Sequence, residues 1–327
     1  MEPHSPSTDS SADLPASKHM FVVLNPVAGM VVPTRTEKRI TTWCEQNGWT
    51  CEVYQTKEDE VLAHVVKRAL ARGCQAVVAA GGDGTISGVA SGVMGSSVPM
   101  LILPLGTGNL LAGDLGVPFD ISRALSLLEA GGRMLMLDAV QVNDRICVLN
   151  AGLGFTSALI KNTERQAKRK YGFLAYIVGG VRALLGLQPH MFRLVVDNKR
   201  LRINASEIHI ACGGLFGIQV SLEDVRVLPD DGRVDIFVIK ARTFSDYLEV
   251  VYYILRGKPR RAREMVYMQA AEMIEIDCEQ KLPFQGDGEV LCETPVKLRV
   301  LPNAIPVLVP EKQEEPIRNR LRQIVGV

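Results

Sequence analysis

The sequence predicts an α/β amino-terminal domain with a doubly wound, mostly parallel sheet, followed by an antiparallel β domain. Three observations carry this expectation. Strand-like and helix-like patterns alternate over the first ~130 residues. After Gly131-Gly132 the pattern changes to short strand-like runs joined by tight turns. The chain has 327 residues, 47% of them apolar, a length that suggests about two domains and a composition sufficient for real cores.

The elements follow in order. Met20–Asn25 reads as a strand, Arg35–Asn47 as a helix, Thr50–Gln55 as a strand and Glu58–Arg72 as a helix. Ala76–Ala80 is a strand, Thr85–Met94 a helix and Met100–Leu103 a strand. A short helix at Asn109–Leu115 and another over Asp120–Ala130 complete the first domain. Gly48, Gly73 and Gly95 stand where helices should end. Beyond Gly132, Leu135–Val142 and Arg145–Asn150 form one hairpin around Asn143-Asp144, and Met191–Val196 and Leu201–Asn204 form another. Ile208–Cys212, Val234–Ile239, Met273–Cys278 and Val296–Leu301 are further strands. Thr156–Leu187 and Phe244–Leu255 are helical interruptions, and Ile317–Val325 is amphipathic.

Composition narrows the function classes. A formal net charge of +1 gives no global field for nucleic acid. Seven cysteines, scattered and without a C-x-x-C, read as reduced cytoplasmic thiols rather than a disulfide frame or zinc site. Residues 1–19 read as a disordered polar tail, not a signal peptide. The longest apolar stretch, Tyr171–Leu187, carries Arg182 and is short for a bilayer span, so no transmembrane helix is expected. Two local basic clusters, Lys161–Lys170 and Arg256, Lys258, Arg260, Arg261, Arg263, suit either a solvated face or peripheral contact with an anionic membrane surface. Oligomeric state is not legible.

Two glycine-rich loops carry the functional signal: Gly81-Gly82-Asp83-Gly84-Thr85, and Leu105-Gly106-Thr107-Gly108-Asn109 after Pro104. Each follows an apolar strand and precedes a helix. Glycines admit the backbone to an anion, and the helix N-terminus attracts it. Two such turns on one sheet point to a nucleotide polyphosphate. Asp83 places a carboxylate at the phosphates, which makes sense with a divalent cation. Thr85 is expected to cap the helix and donate to phosphate, with Ser87 in the same first turn. Thr107 and Asn109 suit ribose and phosphates. No P-loop motif occurs, and neither loop holds a lysine, so magnesium must neutralise more of the charge. Asn25-Pro26 ends the first strand and Thr56 follows the second, both near the crevice of a doubly wound sheet.

With Asn25-Pro26-Val27-Ala28-Gly29 upstream and Gly286-Asp287-Gly288-Glu289 downstream, these loops resemble the diacylglycerol kinase catalytic-domain family, which includes bacterial soluble lipid kinases and the sphingosine and ceramide kinases. The likeness runs from about Met20 to about Val309. It implies a β-sandwich as the second domain and a carboxyl-terminal tail that returns to the first, giving units at 20–133 (with 306–327) and 134–305. It implies an ATP- and Mg2+-dependent kinase that phosphorylates a hydroxyl of a diacylglycerol-like or sphingoid lipid substrate. It places the catalytic base in the Gly286–Glu289 motif. On the reading that residues i and i+2 of a strand face one cleft, Glu289 is the expected base, with Asp287 and Asp83 beside it. It also implies a structural magnesium held by Asp231 with backbone carbonyls near Leu228 and Arg233, although Leu222–Val225 departs from the family's usual Pro-x-Ala approach. NAD kinases share the first glycine motif but should carry an Asn-Glu dipeptide, and this chain has none. A non-catalytic nucleotide- or lipid-sensing module is the remaining alternative.

Overall fold

The computed structural model describes residues 18–29, 32–58, 60–154, 189–213, 225 and 227–311. The predicted helices in Thr156–Leu187, the Lys161–Lys170 cluster and the amphipathic Ile317–Val325 lie outside the described residues.

The first half alternates as the sequence predicts: β1 (His19–Leu24), α1 (Pro33–Gln46), β2 (Thr50–Gln55), α2 (Leu62–Ala71), β3 (Ala76–Gly81), α3 (Asp83–Val93), β4 (Met100–Pro104), α4 (Leu110–Asp114) and α5 (Ile121–Leu125). The four strands are parallel in the order β2-β1-β3-β4. Every residue of β3 and β4 is buried, which requires helices on both faces. The helices pair as α2 on α3 and α1 on α5.

The second half runs β5 (Gly132–Val142), β6 (Arg145–Cys147), β7 (Asn150–Gly154), β8 (His190–Val196), β9 (Lys199–Ala205), β10 (Glu207–Ala211), β11 (Val234–Ile239), α6 (Phe244–Leu255), β12 (Met265–Ala270), β13 (Met273–Cys278), β14 (Pro283–Gly286), β15 (Glu289–Glu293) and β16 (Val296–Pro310). Six of these strands form an antiparallel sheet, β12-β11-β10-β7-β14-β15. Its inner face, including Val234, Ile236 and Val238, packs on Phe192, Leu194, Ile274 and Leu298 of the larger sheet to make the sandwich core. Its outer face, including Phe237 and Ile239, is covered by Tyr247, Val250 and Ile254 of α6.

β16 joins the halves. It pairs antiparallel with β5 along its length and with β13 over Val296–Arg299, while Val307 pairs parallel with Met100 of β4. A ten-stranded mixed sheet results. The predicted boundaries at 133/134 and 305/306 fall inside β5 and β16, so the two units share backbone hydrogen bonds. β16 bends at a register shift between Leu301 and Ile305. There Asn303 takes φ 49° and donates its N–H to the buried carboxylate of Asp138 at 2.7 Å. The predicted strand Arg145–Asn150 stops at Cys147 instead, because the amides of Val148, Leu149 and Asn150 turn to a carboxylate described below.

Candidate active site

The carboxyl ends of β1 to β4 converge on one edge, where the ladder continues past the strands. Asn25 N–H donates to Ala80 O at 2.9 Å, Thr56 N–H to Leu24 O at 2.9 Å and Leu105 N–H to Gly81 O at 3.0 Å. The two glycine turns therefore leave the sheet side by side. A Cβ on Gly106 would lie 2.5 Å from Gly82 Cα, so the turns touch backbone to backbone, which only glycine permits. They bound a cleft of about 810 Å³, whose walls include Asn25, Pro26, Thr56, Gly82 to Thr85, Gly106, Thr107 and Glu289.

Asp83 opens α3. Its Oδ1 accepts the N–H of Leu110 at 2.8 Å, which ties the second glycine loop to the first. Its Oδ2 looks across Gly108, where a Cβ would sit 2.8 Å away. Burial pushes this carboxyl up, and the amides of Leu110, Leu111 and Asn109 oppose that. One oxygen thus holds the loop and the other faces a space kept clear by glycine. A single carboxylate beside phosphates fits magnesium, which keeps most of its shell for water and substrate oxygens.

Several of the expected ligand side chains are engaged within the protein. Thr85 does not cap α3: the N-cap is Gly82, with no side-chain capping bond. Buried Thr85 accepts a hydrogen bond from Asn25 Nδ2 at 3.1 Å, joining β1 to α3. Asn109 is buried and closes its own loop, accepting from Gly106 N at 2.8 Å and donating to Gly106 O at 2.7 Å. Gly81 ends β3 against the Thr85 side chain. Ser87 turns away from the cleft and donates to Asp287.

The Gly286–Glu289 motif is a hairpin turn, not a strand. Gly286 pairs with Glu289, and Asp287 and Gly288 take φ 49° and 85°, the two-residue primed turn that joins antiparallel strands. This corrects the expectation that the two carboxylates share one strand face. Asp287 points inward. Its carboxylate accepts the N–H groups of Val148 (2.9 Å), Leu149 (3.0 Å) and Asn150 (3.1 Å) and the Ser87 hydroxyl. Burial pushes its carboxyl up, while these donors pull it down. Glu289 points outward and pairs with Arg145 at 2.7 Å, both side chains more than half exposed. Glu289 also borders a second cavity of about 390 Å³, walled by Ser87, Arg145, Cys147, Asp287 and Leu291. It is common to both cavities.

Two cations in these walls carry no motif. Lys57 borders the larger cleft directly after Thr56, a place the Thr56 assignment makes legible. Arg145 comes to Glu289 from β6 through tertiary pairing alone.

Leu228, Asp231 and Arg233 lie on the turn before β11. Asp231 is exposed and its Oδ1 accepts the N–H of Arg233 at 3.0 Å, while the N–H of Gly232 goes to Asp138 at 2.7 Å. Among the described residues no three acidic, histidine or cysteine side chains gather into a metal cluster.

Paired glycine turns at the carboxyl edge of a parallel sheet, backed by a β-sandwich that brings Glu289 to the rim, suit a phosphate-bearing ligand. Residues 19–142 match the family model described as the diacylglycerol kinase catalytic domain, and residues 150–309 match the model described as the YegS C-terminal NAD kinase beta sandwich-like domain. The two models together cover most of the chain, so the resemblance to the diacylglycerol kinase catalytic-domain family is found along both of its halves. It is 26% identical over 305 residues to a protein of Bacillus subtilis named diacylglycerol kinase, covering 91% of this chain and 98% of that one. It is 27% identical over 268 residues to an uncharacterized protein of Synechocystis; that match covers 80% of this chain and spans 62% of the relative's length. A crystal structure of a putative diacylglycerol kinase from Bacillus anthracis superposes with a TM-score of 0.75 at 22% identity, over 93% of this chain and 98% of that one, which shows the shared fold.

Proposed function

We propose that the protein transfers the γ-phosphoryl group of ATP to a hydroxyl of a diacylglycerol-like or sphingoid lipid, with Mg2+ as cofactor. The observation that carries this reading is the position of Glu289 at the rim shared by two cavities. A nucleotide in the glycine-walled cleft and an alcohol entering from the smaller cavity meet at its carboxylate. The smaller cavity has apolar walls from Val61, Leu62 and Leu291 beside its polar ones, as an acyl-bearing alcohol requires.

In this reading the backbone of Gly82, Gly106 and Gly108 takes the phosphates, with Asn25, Pro26, Thr56 and Thr107 around the nucleotide and the α3 N-terminus contributing its dipole. Asp83 Oδ2 holds the magnesium, which when bound spreads the phosphate charge. Lys57 adds a fixed positive charge at the rim. Glu289 accepts the proton of the attacking hydroxyl, and Arg145 aims it. Asp287 positions: its lone pairs are committed to four donors, so it holds the hairpin, and with it Glu289, against α3. A further magnesium at Asp231, with the carbonyls near Leu228 and Arg233, belongs to the same proposal. One carboxylate with carbonyls and water suits that ion.

The test is transfer of labelled phosphate from ATP, with and without Mg2+, to detergent-dispersed diacylglycerol, sphingosine, ceramide and polyprenol, with NAD as a further acceptor. Label in a lipid phosphate is the expected result. Label in NAD alone, or in nothing, sinks the reading.

A further inference from the structure

We propose that the outward face of α6 is a docking surface for an anionic phospholipid bilayer. The helix has two faces. Tyr247, Val250 and Ile254 are buried against the antiparallel sheet. Phe244, Leu248, Val251, Tyr252 and Leu255 are between 47% and 64% exposed. Their spacing puts them on one side of the helix. Singly exposed apolar side chains are ordinary on a protein surface, but a contiguous stripe is not.

Charge selects the occupant. From Arg242 to Arg263 the chain carries six basic side chains and two acidic ones. Both acids are engaged locally. Asp246 accepts the N–H groups of Arg242 and Thr243 at 2.8 Å each, capping the helix, and Glu249 accepts the N–H of Arg263 at 3.4 Å. The cations gather where the stripe ends: the Arg256 guanidinium lies over the Tyr252 ring at 5.8 Å, and that of Arg260 over Tyr267 at 4.6 Å. Apolar side chains flanked by arginines whose guanidinium groups lie over aromatic rings match the boundary between acyl chains and anionic headgroups. A second copy of the chain fits less well. At half exposure the stripe offers roughly 400 Å², about half of one partner's share of a stable interface, and two copies would oppose like charges.

The inference rests on the lipid-kinase reading for its biological sense, but its test does not depend on catalysis. The full-length protein is co-sedimented at low salt, without ATP, with vesicles of phosphatidylglycerol and phosphatidylcholine in equal parts, and with phosphatidylcholine alone. The wild type should pellet with the anionic vesicles only, and less as salt rises. The triple variant Leu248→Ser, Val251→Ser, Leu255→Ser changes exposed positions and should melt like the wild type, yet bind anionic vesicles about tenfold more weakly or worse. Equal pelleting of variant and wild type overturns the proposal, as does a wild type that ignores anionic vesicles. A wild-type dimer in sedimentation velocity that the variant breaks also overturns it, in favour of a second copy. Activity on a short-chain, detergent-dispersed diacylglycerol separates the two readings. Vesicle binding without any lipid phosphorylation removes the kinase and leaves the docking face; phosphorylation without vesicle binding does the reverse.

Discussion

Asp287 and Glu289 are two residues apart and do opposite work. The turn sends Asp287 into the protein to meet three amides and a hydroxyl, and Glu289 out to the rim and Arg145. Their substitutions should separate cleanly. Asp287→Ala leaves those donors buried without an acceptor and should cost about 3 kcal/mol or more in urea unfolding. Asp287→Asn, which keeps one acceptor oxygen, should cost less. Glu289→Gln should leave stability unchanged and lower kcat by about 10²-fold or more, with ATP affinity retained in calorimetry. A Glu289→Gln enzyme with wild-type turnover removes Glu289 from the reaction. The Gly-Asp-Gly-Glu string marks the place from sequence only alongside the two glycine loops, because Asp-Gly by itself is an ordinary hairpin turn. Which acid faces the cleft depends on a positive φ at Asp287, and period-2 reasoning assumed a strand where the chain turns. Lys57 and Arg145 show the same limit: a rim cation is defined by what lies across the cleft, and adjacency in sequence reports that for Lys57 only.

At the scale of elements, the cradle is two strand–turn–helix units locked together by backbone contact and by Asp83. The units are legible in sequence because apolar runs and glycines punctuate them. Their contact is not, since it depends on the neighbouring places of β3 and β4 in the sheet. Gly106→Ala tests it. The new methyl would sit 2.5 Å from Gly82 Cα, and backbone cannot rotate away as a side chain can. The two loops must part, at a cost of about 1–3 kcal/mol, and the cradle widens. ATP affinity should fall at least tenfold in calorimetry, while the far-ultraviolet circular dichroism spectrum keeps its shape. Unchanged ATP affinity would show that phosphate does not lie between these turns. Strands that lack the usual signatures stayed hidden for related reasons. β7 is Asn-Ala-Gly-Leu-Gly, and the second half of β16 carries Pro302, Pro306 and Pro310. Proline withholds a ladder donor, so that stretch reads as a loop until its neighbours supply the pairing.

At the scale of the whole molecule, β16 makes the parallel sheet and the sandwich one hydrogen-bonded body, and the antiparallel sheet buries polar groups within it. His209 of β10 is 2% exposed, and burial holds its imidazole down to about 3 from the usual 6.5. The folded protein therefore keeps His209 neutral between pH 6.5 and 3, whereas the unfolded chain binds a proton there. Stability from this group is fully present above pH 6.5 and is lost as pH falls through that window. Asp114 and Asp235 act in the opposite sense. Burial first, and for each a neighbouring carboxylate, pushes them up to about 7 and about 6, so each stabilises the fold less as pH rises toward those values. Raw stability curves mix these slopes, and a comparison isolates His209. In His209→Gln the two aspartates remain and the imidazole is gone. Relative to wild type, the variant should gain about 2 kcal/mol between pH 8 and pH 5, whatever the substitution costs at pH 8. Urea unfolding at the two pH values measures the difference. Parallel stability curves would mean that His209 is protonated in the folded protein, with an acceptor that burial alone does not supply.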